Sequence, residues 1–114
     1  MNCTCNKKKE IEKALPFDLA SMVAYGENSV VSRSLAENKS GTMTLFSFDE
    51  SQGLSEHSAP YDAIVQLIEG EAEISIAGVP HRLCAGQMII MPANIPHSVR
   101  AVSKFKMLLS MFRV

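Results

Sequence analysis

The sequence predicts an all-β fold, an antiparallel sandwich or barrel, and three observations predict it. From Ser29 onward the apolar residues come in short, β-branched runs, several of which alternate at every second position. Gly, Pro, Asn and Asp close these runs at short intervals with turn chemistry. No segment sustains a long 3.6-residue period, and no internal repeat, low-complexity tract or linker divides the chain.

The elements follow in order. The polar start, to about Lys13, reads as an arm, and we set an N-terminal arm at 1–16 and one domain at 17–114. Pro16-Phe17-Asp18 introduces Leu19–Ala24, which fits one or two helical turns or a strand. Ser29–Leu35 and Thr42–Phe48 are strands, ending at the polar groups 37–41 and 49–53. Asp62–Ile68 is an apolar-rich strand broken by Gly70. Glu71–Ile76 alternates charge or hydroxyl with apolar, so it has one wet and one dry face. Gly78 turns the chain into Val79–Leu83, and Gly86 turns it into Met88–Met91. Pro92–Pro96 is a rigid turn, since two prolines exclude a central strand. His97–Ala101 and Phe105–Phe112 complete the set. In the last strand Phe105, Met107, Leu109 and Met111 share one face and read as core.

Composition bounds the function classes. The chain has 114 residues, 46% apolar and 20% charged, which is one globular domain with an ordinary core. A net charge of −1 gives no footprint for nucleic acid or for an anionic membrane. The N-terminus has lysines without a following apolar run, so no secretory signal is expected. No stretch reaches the roughly eighteen apolar residues of a spanning helix. Three cysteines, Cys3, Cys5 and Cys84, make no disulfide framework. The expectation is a cytoplasmic protein with reduced thiols, in which Cys3-Thr4-Cys5 sits on the arm.

Two segments choose among β architectures. Gly86-x5-Pro92-Ala93-Asn94-Ile95-Pro96-His97 resembles the second cupin motif, G-x5-P-x-G-x2-H-x3-N. Upstream, His57-Ser58-Ala59-Pro60-Tyr61-Asp62-Ala63 with Gly70 resembles the first, G-x5-H-x-H-x3,4-E-x6-G, in its shorter spacing. The resemblance covers about residues 42–112. It implies a small single-domain bacterial cupin: a double-stranded β-helix, or jelly-roll barrel, with a pocket at its mouth. It also implies a divalent metal (Fe, Zn, Mn or Ni) at the motif ligands.

The ligand positions depart from the family pattern. The second histidine of the motif falls on Ala59 and its glutamate on Ala63, and neither binds metal. Asn94 stands for a glycine, a mild exchange because Asn tolerates left-handed backbone. Of the usual metal ligands His57 and His97 remain. His97 shares a face with Val99 and Ala101, so it points inward by phase. His57 has no clear phase because Pro60 breaks its strand. His81, beside a hairpin turn, reads as exposed. Catalytic zinc takes three protein ligands, and non-haem iron takes two histidines and a carboxylate. A third ligand would come from Glu56, Tyr61, Asp62, Gln66, His81 or Cys84, and Asp62 is one position off register.

The expected function is therefore a module that binds a small molecule at His57, Ala59, Ala63, His97 and Val99, with a metal at most weakly held. The alternative is a metal-dependent enzyme (dioxygenase, decarboxylase or isomerase type), or one that moves protons with the two histidines. A third reading is a filled, purely structural barrel. A homodimer is expected from sheet edges and from the apolar segment Leu19–Val31.

Overall fold

Side chains alternate across each strand, so every strand offers one face to the interior and one to the outside. In the computed structural model, residues 10–113 are described. They form β1 (Val30–Asn38), β2 (Gly41–Phe48), β3 (Gly53–His57), β4 (Ala63–Glu69), β5 (Glu71–Ile76), β6 (Val79–Cys84), β7 (Met88–Met91), β8 (His97–Ala101) and β9 (Phe105–Phe112). The five-stranded sheet runs β1-β2-β9-β4-β7 and the four-stranded sheet β3-β8-β5-β6. All pairings are antiparallel. The two sheets face each other as a jelly-roll barrel. Cys3 and Cys5 lie outside the described residues.

The interior is packed in rows. Phe48 and Phe105 pair across β2 and β9 and stack at 4.4 Å and 7°, forming the floor. Leu67, Val65, Ile74, Val99 and Met107 continue the core above them. The inward face read for the last strand is observed: Phe105 and Met107 are buried, and Leu109 and Met111 pack against the core. Gly70 lies between β4 and β5 with φ +82°. A Cβ there would collide with the Lys104 carbonyl, so only glycine fits this close approach.

Two segments that the sequence left open are defined by the structure. Leu19–Met22 is a single 3-10 turn, N-capped by Asp18, and Val23 is already extended. It covers the outer face of the five-stranded sheet, where Met22 and Val23 bury against Leu45 and Leu108. Side chains from the sheet hold this cover by its carbonyls. Ser47 donates to Ala24 O at 2.8 Å, Arg33 to Met22 O at 3.3 Å, and Lys106 to Ala20 O. The second is β3, for which no bounds were readable from the sequence. Gly53–His57 has one apolar residue, Leu54, and is held by backbone pairing to β8.

Candidate functional site

The site lies at the barrel end where the loops 58–62 and 92–96 meet. Asn94 N donates to Ala59 O at 2.7 Å, and Ala93 N donates to the Asp62 carboxylate at 2.9 Å. Ala77 N donates to Pro96 O at 2.8 Å and ties the β5–β6 turn to the same rim. Asn94 sits at φ +64°, the left-handed conformation for which asparagine is suited. These bonds set the ends of β3 and β8 side by side.

A bulge then decides the direction of His57. Leu54 pairs with Val99, and three residues later His57 pairs with His97, only two residues back along β8. One extra residue in β3 reverses the face of everything beyond it. His57 would otherwise point opposite to Leu54; with the bulge it shares the inner face with His97. The ring centroids are 4.5 Å apart at 74°. His97, which also pairs with Ile76 of β5, is buried, while His57 stands exposed at the rim.

Each imidazole is oriented in the same manner. His57 Nδ1 bonds the Ser55 carbonyl at 2.7 Å and His97 Nδ1 bonds the Ile95 carbonyl at 3.2 Å. A carbonyl only accepts, so each Nδ1 carries the hydrogen. Nε2 is then the nitrogen left on each ring for a ligand. Burial holds the His97 imidazole below its ordinary value, and the neighbouring His57 charge pushes the same way. The Ile95 carbonyl opposes both. Neutral His97 thus presents a lone pair near pH 7.

The other sequence candidates fall as follows. Ala59 is half-buried in the loop beside the pair. Ala63 is buried at the start of β4, opposite Met91 and Met111. Val99 is in the core, one inward position deeper than His97. His81 is exposed on the edge strand β6. The Asp62 carboxylate is engaged by the Ala93 amide, and Gln66 lies on the outer face opposite Met88 and Leu108. Cys84 sits at the opposite end of β6, with Sγ 3.6 Å from the Glu71 carboxylate.

Among the described residues no group of three or more His, Cys, Asp or Glu is placed to hold a metal. Two imidazoles fall short of the three-ligand catalytic zinc set and of the two-histidine, one-carboxylate iron set. The donors present therefore do not fit a resident metal centre. A cleft of about 480 Å³ lies elsewhere: it is outside the barrel, between Met22–Ala24 and Val31–Arg33. It contains no acid–base pair of the kind that His57 and His97 form, so the histidine end remains the candidate site.

Comparison with known proteins identifies the family. The cupin domain family model matches residues 44–112, which span both histidines and both loops. The chain belongs to the cupin superfamily. Among solved structures, this cupin resembles a conserved protein of unknown function from Streptococcus pyogenes, at 39% identity and TM-score 0.86, over 91% of each chain. It also resembles a cupin superfamily protein from Desulfitobacterium hafniense, at 28% identity and TM-score 0.86, over 96% of this chain and 100% of that one. A cupin 2 conserved barrel domain protein from Leptotrichia buccalis matches at 38% identity and TM-score 0.83, over 85% of this chain but 47% of that one. The chain thus spans about half the length of that last relative. No protein of curated function matches it. No helix among the described residues is long and apolar enough to cross a membrane.

Proposed function

We propose that this cupin binds a small molecule at the mouth of its barrel, with His57 and His97 as the polar contacts. The observation that carries the reading is the imidazole pair itself. Two rings from different strands meet at one rim, and each spends Nδ1 on a carbonyl and keeps Nε2. Apolar walls with a few placed polar groups are the common form of a small-ligand site. A divalent ion would find only the two imidazole nitrogens and would be held weakly.

The second reading is proton transfer by the same pair. A buried, neutral His97 beside an exposed His57 is a base next to a group that exchanges with solvent. A shared fold decides neither reading.

The test is thermal shift of the full chain against sugars, organic acids and aromatic acids, with metal content measured on protein never exposed to chelator. We expect a ligand to raise the melting temperature and metal to be well below one per chain. His97→Ala should abolish the shift, since ligand stabilisation scales with RT ln(1 + [L]/Kd). Turnover that His97→Ala removes would favour the enzyme reading. Near-unit metal that His57→Ala removes would overturn the metal-poor site.

A further inference from the structure

The two imidazoles at the mouth offer acceptors. Each Nδ1–H is spent on a backbone carbonyl, which leaves a lone pair on each Nε2. Burial and the neighbouring His57 charge both oppose a proton on His97. With ring centres 4.5 Å apart, one ligand engages both rings when it carries two donors close together.

The walls at this end are apolar or hydroxylated and carry no charge. The inward residues of β4, β5, β7, β8 and β9 here are Ala63, Ile76, Met91, His97, Leu109 and Met111. Asp62 is spent on the Ala93 amide, and Glu37 is exposed on the edge strand β1. A carboxylate or an ammonium drawn among these side chains would lose its water without gaining a counter-charge. The facing sheet supplies hydroxyls instead. Along β2, Phe48 and Phe46 pack in the core and Leu45 packs outside, so Thr44 and Thr42 continue the inner face toward the mouth. They pair with Leu109 and Met111 of β9, which also face inward. Both threonines are half-buried, and neither hydroxyl has a hydrogen bond among the described residues.

We propose that the ligand is an uncharged polyhydroxylated ring, a neutral sugar or cyclitol; this rests on the reading of the mouth as a small-molecule site. Two adjacent hydroxyls donate to the Nε2 atoms of His57 and His97. Other hydroxyls meet Thr42 and Thr44, and a C–H face of the ring lies against Ile76, Leu109 and Met111. Such a ring has polar edges and apolar faces, which matches apolar walls with a few placed polar groups. The same ring bearing a carboxylate or an ammonium is rejected, because the walls hold no charge to pair with it.

Proton NMR of the imidazoles in the full chain tests this, because the three histidines report separately. The probes are glucose, galactose, arabinose and myo-inositol, against glucuronate, galacturonate and glucosamine. A neutral probe should shift the His57 and His97 resonances and leave His81, exposed on β6, unmoved. Thr44→Val should weaken that probe about three- to tenfold, as for one lost hydrogen bond, and Thr44→Ser should bind it like the wild type. His57→Ala, which alters an exposed side chain, should weaken it by at least as much. Shifts with the charged probes alone, or a neutral probe that ignores Thr44→Val, would overturn the neutral ring and leave the mouth as a ligand site. So would silence from every probe here while an aromatic acid still raises the melting temperature of the wild type but not of His97→Ala. No response to any compound in either experiment would sink both the neutral ring and the ligand site.

Discussion

The imidazole of His97 is held neutral by its place in the wall. Its folded value lies below the ordinary ~6.5 of the unfolded chain. Between those two values the unfolded state binds a proton that the folded state refuses. Stability therefore rises with pH through that window and falls as pH drops below about 6.5. Proton NMR should show the His97 midpoint below the ordinary value. His57→Ala should raise it only part of the way, because burial, the larger cause, remains. The unfolding free energy should also fall more between pH 7 and pH 5 in the wild type than in His97→Asn. A midpoint at or above the ordinary value would refute this account. The inward direction of His97 was legible from its spacing to Val99 and Ala101. That of His57 was not, because a single bulged residue sets it and bulges leave no mark in an alternation pattern.

At the scale of elements, the β5–β6 hairpin closes with Ala77 and Gly78, both in the left-handed region at φ +52° and +82°. Two such residues match the type I′ turn that suits the twist of a two-residue hairpin. Glycine adopts this without cost, and alanine does not. Ala77→Asn should stabilise the protein by roughly 0.5–1 kcal/mol. In a chain of this size that is a rise of about 3–6 °C in Tm. No rise would mean that the Ala77–Pro96 bond, not the turn, governs this corner. The hairpin was readable because Gly78 punctuates two alternating runs. β3 was not, since four of its five residues are exposed and its partner strand lies 40 or more residues away.

For the whole molecule, stability concentrates at the floor and thins toward the mouth. Phe105 is fully buried and stacked on Phe48, so Phe105→Ala should cost about 3–5 kcal/mol through lost transfer energy and a cavity. Thermal unfolding should then shift down by more than about 10 °C. At the mouth, Leu109, Met111 and Ile76 are only half-buried, which leaves the histidine end the place where a ligand would add contacts. A loss under 1 kcal/mol for Phe105→Ala would mean that the floor collapses around the gap. Outside the barrel the N-terminal segment is bound by the burial of Met22 and Val23 and by side chains that reach its carbonyls. Tyr25 adds a 2.6 Å bond to Glu69, which with burial pushes its hydroxyl well above the ordinary tyrosine value.

The sequence by itself determined the strands other than β3, the inner faces of β5, β8 and β9, and the barrel family. Those properties are written in local alternation and in turn residues, and each residue contributes to them where it stands. The two histidines were also legible as candidates, because the motifs around them are contiguous. The tertiary structure alone decided three things: that a bulge turns His57 inward against His97, that the Asp62 carboxylate serves the Ala93 amide, and that Met22 and Val23 cover Leu45 and Leu108. Each depends on which distant strand or segment lies alongside. Pairing and coverage are set by long-range packing, which no local pattern encodes.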